Sequence, residues 1–475
     1  EKITEFKKSI SNEFLNRDID VVNYPICRIE REFKDAVKLF ESENVDAIVT
    51  LHLAYSPSLE SSAVLAGSKL PVIILDTTPD YDFAPGNDSS LIFANHGIHG
   101  VMDMCNLLNR NGKAFQIEAG HWKHSDIFDR VAKSAKAAKL MSQSLSRVGA
   151  ETPDEVRGGC PVLNPTQERL SGCAANLATF MRNIRIGLIG NPFDGMGDFL
   201  VPYDKLKKST GIEVVRANSA EVANFIPQIT DEELTREVAD DQEFFIVNSD
   251  VDETLMKEVN KAGLAIRKWI EHEKLSGFTV NFNEIQTNSG LTHVPFLEGS
   301  KSMMRGLGYA GEGDVLTASL AATLASEFPE TSFVEIFCPG WESNTLLLSH
   351  MGEMNLNLCA EKAELKKYDS DFVNQATLKG VGCFKAGNAL IVNLAPLTDE
   401  KFRLILASVE VLDITGKDKM RDNIRGWIKT QIPITEFLKE YSKAGGTHHQ
   451  VMVYNADIEE IAKFAEMMDW EVVRI

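Results

Sequence analysis

Residues 31–76 read REFKDAVKLFESENVDAIVTLHLAYSPSLESSAVLAGSKLPVIILD, and their patterning decides the fold class. Phe33, Ala36, Val37 and Phe40 recur at i, i+3, i+4 and i+7 between charges, the spacing of a one-sided helix over 31–42. Residues 45–51 (VDAIVTL) and 71–76 (PVIILD) are short apolar runs that suit buried strands, with a helical stretch between them. Strands separated by helices predict a parallel sheet with right-handed crossovers.

The alternation continues downstream. A helix rich in Ala, Lys and Leu is expected over 126–146, then a seam between Thr152 and Cys173, where Pro153, Gly158, Gly159, Pro161 and Pro165 cluster. The run 184–189 opens a second strand–helix series, with further strands expected at 213–217 and 244–248 and a long helix over 252–274. After Pro329 the pattern changes. Residues 331–338, 345–350, 389–394 and 402–414 are strand-like without intervening helices, followed by a helix at 458–468 and a last strand at 471–475. The expected chain is α/β: two doubly wound parallel-sheet domains, over 1–182 and 183–328, and a C-terminal, mostly antiparallel β-barrel-like domain over 329–475.

The 475 residues carry 49 basic and 69 acidic side chains, a net charge of −20, with 44% hydrophobic content. Such a surplus of negative charge repels phosphate backbones and anionic lipids, so neither nucleic acid nor membrane is an expected partner. No run approaches the roughly 18 apolar residues that a membrane span needs. The richest, 315–325, is broken by Thr and Ser and reads as a packed helix. Seven scattered cysteines without a C-x-x-C pair favour the reducing cytoplasm over a disulfide framework. The chain opens at Glu1 already inside a helical pattern (Ile3, Phe6, Ile10, Phe14), so residues upstream of it are expected.

Several chemistries are excluded or disfavoured by spacing. GLIGNPFDGMG, 187–197, follows a strand but does not match G-x-G-x-x-G, and Pro192 disturbs the helix start that a pyrophosphate needs. It reads as a glycine-rich strand-to-helix loop. There is no P-loop and no G-x-S-x-G elbow. His121 and His124 form an H-x-x-H without a visible third ligand and read as structural, while His52 ends a strand and suits a pocket or a bonded loop equally.

Three segments stand out. Gly308–Asp314 (GYAGEGD) sets Glu312 between two glycines ahead of a helix, with Asp314 positioned to cap it. SFVEIF, 332–337, places Glu335 in an otherwise apolar strand, on one face with Phe333 and Phe337; a buried carboxylate is costly unless paired or metal-bound. LLLSH ends a strand in His350, and GGTHH opens another with His448 and His449. Two carboxylates and two or three imidazoles near the ends of apolar strands make an O/N set that suits Mn²⁺ or a similar divalent cation; without thiolates it does not suit structural zinc.

At these segments the chain resembles the L-arabinose isomerase family, within the L-fucose/L-arabinose isomerase superfamily. The match is collinear: LHLAYSP at 51–57, NHGIHG at 95–100, FTVNF at 278–282, then GYAGEGD, SFVE, LLLSHM and AGGTHH. The resemblance implies two α/β domains and a β-barrel-like domain that carries much of the metal site, in a homo-oligomer, usually a hexamer. It implies aldose–ketose isomerisation with Mn²⁺ or another divalent cation, held by Glu312, Glu335, His350 and His449. Glu312 and Glu335 would also be the acid/base pair, and His448 and His99 would bind the sugar, His99 from a neighbouring subunit. His96, which stands where the family has Gln, and Phe282 are further sugar-binding candidates. GNPFDGMGDF, 190–199, departs from the family's F-G-D-N-M. The competing readings are a non-catalytic sugar-binding or regulatory protein with two α/β lobes, and a metal-dependent hydrolase or aldolase.

Overall fold

The opening stretch folds as helix Glu30–Ser42, strand Ile48–Leu51, helix Ser62–Gly67 and strand Val72–Asp76. These come from a computed structural model, which describes residues 2–145, 172–286, 288–398 and 400–475. Most of the expected Pro/Gly seam, Thr152 to Cys173, lies outside the described residues. Val72–Asp76 pairs in parallel with Ile48–Leu51 on one side and with Phe115–Ala119 on the other. Its side chains alternate between faces, as the pleat requires. Val72 and Ile74 pack toward the helix Ile98–Arg110, and Ile73 and Leu75 toward Phe6, Ile10, Ile127 and Phe128.

A second parallel sheet runs in the order Glu213–Ala217, Arg185–Ile189, Gly277–Val280, Gly308–Ala310. Gly187, in the second of these strands, is a packing device: a Cβ there would stand 2.4 Å from the Trp269 ring and 2.6 Å from Leu275. Gly187→Ala is expected to destabilise the fold by about 1–3 kcal/mol through overpacking, read as a lower urea midpoint with unchanged slope. The expected strand at 244–248 shrinks to Ile246–Val247 and leaves this sheet. It pairs instead with Glu364–Tyr368, which also carries Thr377–Val381. Phe245 draws it there by packing with Leu365 and Leu378.

The last third closes on itself. Gly387–Pro396, His449–Tyr454, Thr331–Gly340, Thr345–Ser349, Gly426–Thr430 and Phe402–Val411 form an antiparallel barrel, closed by pairing of the first strand with the last. Glu471–Arg474 adds in parallel to Phe402–Val411. The mixed α/β fold with two parallel sheets and a C-terminal barrel is thus the one expected. The helix Val315–Ala325 is buried from Val315 to Leu324 and packs in a core shared by the second sheet and the barrel. No described helix is long and apolar enough to cross a membrane.

One helix ties the parts together. Ile98–Arg110 is buried from Ile98 to Leu108. Its Asp103 accepts hydrogen bonds from the backbone N–H groups of Ser58, Gly197 and Asp198, and its Asn106 donates to the carbonyls of Pro396 and Gly445. The Asn106 bonds hold the helix against Pro396, the end of a barrel strand.

Candidate functional site

Barrel register builds the centre of the site. His449 lies directly opposite Glu335 on one neighbouring strand and Ser349 opposite it on the other, so His350 projects one residue beyond. A bulge at Leu347/Leu348 re-aims that strand end. Glu335, 4% exposed, is consequently ringed by imidazoles. Its Oε1 lies 2.8 Å from His449 Nε2 and 3.3 Å from His350 Nε2, and its Oε2 lies 3.2 Å from His99 Nε2. Phe333 and Phe337, on its face of the strand as alternation predicts, wall the cluster. Phe333 meets His350 and His449 edge-on at 4.6 and 4.9 Å, and Phe337 stacks on His96 at 4.3 Å.

Glu312 enters from the second sheet, just past Gly308–Ala310, with φ of 62°, in the left-handed region. A backbone held there by a non-glycine residue costs energy that the surrounding structure must offset. Gly311 makes room beside it, since a Cβ there would stand 3.0 Å from His350 Cε1. Glu312 Oε2 lies 3.6 Å from His448 Nε2 and 4.0 Å from His449 Nε2.

Each of the three barrel histidines is anchored through its other nitrogen. Nδ1 of His350 donates to Glu353 at 2.6 Å, Nδ1 of His449 to Asp314 at 2.8 Å, and Nδ1 of His448 to Asp198 at 2.8 Å. The anchors are themselves fixed: Tyr309 OH donates to Glu353, and Asp314 caps Val315–Ala325 by accepting from the N–H groups of Leu316 and Thr317. Carboxylates at Nδ1 set the tautomer and turn Nε2 inward, the arrangement of metal-ligating histidines. Glu312 Oε2, His448 Nε2 and His449 Nε2 are buried and find no hydrogen-bond partner among the described residues. The 2.8 Å approach of His449 to Glu335 therefore lacks hydrogen-bond alignment.

These orphaned atoms fit a divalent cation. Bonds of about 2.1 Å in tetrahedral or octahedral geometry put neighbouring ligand atoms about 3.0–3.4 Å apart. Ligand atoms of Glu335, His350 and His449 lie within 4.8 Å of one another, as do those of Glu312, His448 and His449. Electrostatics agree. Burial pushes the Glu335 carboxyl up, but His350 and His99 outweigh it and hold the group well below the usual carboxylate range. Burial pushes His350 down, yet Glu353 and Glu335 hold it well above the ordinary imidazole value; Asp198 does the same for His448. His96, by contrast, is pushed down to about 4 by burial.

Of the residues singled out in the sequence, Glu312, Glu335, His350, His448, His449, His99 and His96 converge. His99 does so within one chain rather than from a neighbouring subunit, because its helix is wedged against the barrel through Asn106. Phe282 stands to the side, its ring stacked on Phe193, whose N–H donates to the Glu312 carbonyl. His52 is buried against the backbone of Gly97 and Gly100, His124 stacks on Tyr81, and His121 lies tilted against the same ring. Neither joins a group of metal-ligating residues among the described residues.

Sequence reading passed over Asp198, Glu353 and Tyr55. Tyr55 is 40% exposed and its ring lies 5.8 Å from the His96 ring. Burial together with Glu312 and Glu335 raises its phenol, keeping it neutral. Asp314 was legible as a cap but not as the anchor of His449. Asp314→Asn retains the cap, since Asn caps as well as Asp, but loses the charge at Nδ1. Mn²⁺ affinity is expected to fall about 10–100-fold with little change in metal-free stability, measured by calorimetric titration and thermal melting.

The family models for the L-arabinose isomerase central domain and C-terminal domain match residues 204–326 and 330–471, together more than half of the chain. The chain belongs to the L-arabinose isomerase family. It is accordingly an enzyme of the isomerase class. It is 24% identical to the L-arabinose isomerase of Shouchella clausii over 92% of this chain and 84% of that protein. It is 23% identical to that of Geobacillus thermodenitrificans over the whole of this chain and 90% of the relative. Within the L-arabinose isomerase family match, Glu312 falls in the central-domain segment, and Glu335, His350, His448 and His449 in the C-terminal one.

Proposed function

We propose that this protein is a metal-dependent aldose–ketose isomerase, with Glu312, Glu335, His350 and His449 holding Mn²⁺ or a similar divalent cation. The observation that carries this reading is the convergence of inward-facing Nε2 atoms, each backed by a carboxylate, on Glu335 and on Glu312, whose Oε2 has no hydrogen-bond partner among the described residues. A cation held there supplies positive charge to polarise a sugar carbonyl.

The chain's own groups supply the rest. Glu312 and Glu335 are the two carboxylates able to take a proton from C2 of an open-chain aldose and return one at C1, while a second proton passes from O2 to O1, giving the 2-ketose through an enediol. Glu312 reaches the pocket from the second sheet and Glu335 from the barrel wall, so they can flank a substrate rather than crowd one side of it. A hydride shift from C2 to C1 would use the same residues. His448, with its Nε2 unpartnered, is well placed to donate to a sugar oxygen. His99, His96 and Phe282 remain sugar-contact candidates, and Tyr55 offers a neutral hydroxyl.

L-arabinose is the first aldose to test, as the substrate in the names of the relatives. His96, where the family has Gln, marks the position most able to alter the choice of sugar. A homo-oligomer, a hexamer by family resemblance, and a cytoplasmic location complete the reading. The test is to incubate metal-free protein, with and without Mn²⁺, with a panel of aldopentoses and aldohexoses and assay ketose. Mn²⁺-dependent ketose formation from one member is expected. Sugar binding without turnover under any divalent cation would favour the sugar-binding alternative. Running the active pair in D₂O separates the routes: solvent deuterium in the product marks proton transfer.

A further inference from the structure

We propose that His96, His99 and Glu335 form a second divalent-cation site, so that Glu335 would bridge two ions through its two oxygens and, in that doubly loaded state, leave the proton transfer to Glu312. This rests on the reading that Glu312, Glu335, His350 and His449 hold the first ion through Glu335 Oε1. The second site uses the opposite oxygen.

Three ligand atoms meet there. His99 Nε2 lies 3.2 Å from Glu335 Oε2 and 3.3 Å from His96 Nε2, and all three residues offer atoms within 4.8 Å of one another. These spacings match the roughly 3.0–3.4 Å between neighbouring donors around bonds of about 2.1 Å.

Proton counting favours an ion over a hydrogen-bond chain. A neutral imidazole nitrogen carries either one proton or one lone pair. If His99 donates its Nε2 proton to Glu335, His96 can meet it only with a lone pair that shares the same proton, since a second proton there would repel it. If His96 donates to His99 instead, a lone pair on His99 faces a carboxylate oxygen. A cation between the three satisfies both Nε2 atoms and Glu335 Oε2 at once, while His99 Nδ1 finds no partner among the described residues.

The surroundings hold the donors in place. Phe337 lies flat on His96, 4.3 Å away at 22°, and perpendicular to His99, 5.0 Å away at 90°. His96 caps the short helix Ile92–Asn95, and His99 sits in the first turn of Ile98–Arg110. Glu335 and His99 are buried while His96 is half-buried. Two imidazoles and a carboxylate suit borderline ions such as Mn²⁺, Co²⁺ or Zn²⁺. His96 and His99 would then reach the sugar through the ion they hold, and two bridged ions can clamp adjacent oxygens of a substrate.

The test is to titrate metal-free protein with Mn²⁺, count bound metal by elemental analysis, and record its paramagnetic resonance spectrum. Two equivalents and an exchange-coupled spectrum are expected for the unaltered chain. His96→Gln, a change to the family's residue, is expected to retain one equivalent with the spectrum of an isolated ion and to keep its Mn²⁺-induced thermal shift. One equivalent in the unaltered chain, with an isolated-ion spectrum unchanged in His96→Gln, would overturn the second site and leave the first standing. No bound metal would overturn both. The count on the unaltered chain requires no variant to fold.

Discussion

Glu335→Gln is expected to abolish Mn²⁺-induced stabilisation and to lower kcat/KM by at least about 10³-fold. Both of its oxygens face imidazole nitrogens, at 2.8, 3.3 and 3.2 Å. The amide keeps the shape but removes the charge and turns an N–H₂ toward one side of the cluster, so a cation meets a donor where it had an acceptor. Acid–base catalysis alone accounts for about 10²–10⁴ of the loss, and a misplaced metal adds to it. Mn²⁺ at a hundredfold excess over its Kd stabilises the unaltered protein by about 2.7 kcal/mol. Melting curves with and without Mn²⁺ check this: the variant's curves should coincide. A shift equal to that of the unaltered protein would remove Glu335 from the ligand set.

Glu312→Gln should behave differently. Glu335, His350 and His449 remain within 4.8 Å of one another, so Mn²⁺ still binds, more weakly, and the thermal shift shrinks without vanishing. The loss falls on kcat, by about 10²–10⁴-fold, with KM much less affected, because the group that moves the proton is gone. Its strained backbone and orphaned Oε2 are what an acid/base held ready for a substrate would show. Parallel changes in metal affinity and kcat would instead make Glu312 a ligand and nothing more.

The centre of the site was legible because its residues break local rules. A carboxylate in the apolar run SFVEIF and histidines closing LLLSH and GGTHH are costly to bury, so each called for a partner. Asp314 was legible as a cap because the N-cap signal is local. Its bond to His449 is not local: 135 positions separate them. Asp198, 250 positions from His448, and Glu353, which follows His350 by three, carry no patterned signal either. The parallel sheets were legible from alternating strands and helices. The stretch 244–248 was expected in the second sheet and is not there, because the two-residue strand Ile246–Val247 carries no register of its own and takes that of Glu364–Tyr368. That His99 reaches Glu335 within the chain depends on how its helix seats against the barrel, which no spacing encodes.

The most direct test of the metal-site reading is an anomalous-difference map, recorded at the manganese absorption edge, from crystals grown with Mn²⁺. A peak bounded by Glu312, Glu335, His350 and His449 is the predicted result. A protein that loads Mn²⁺ elsewhere, or shows no peak among these four residues at saturating metal, would contradict it.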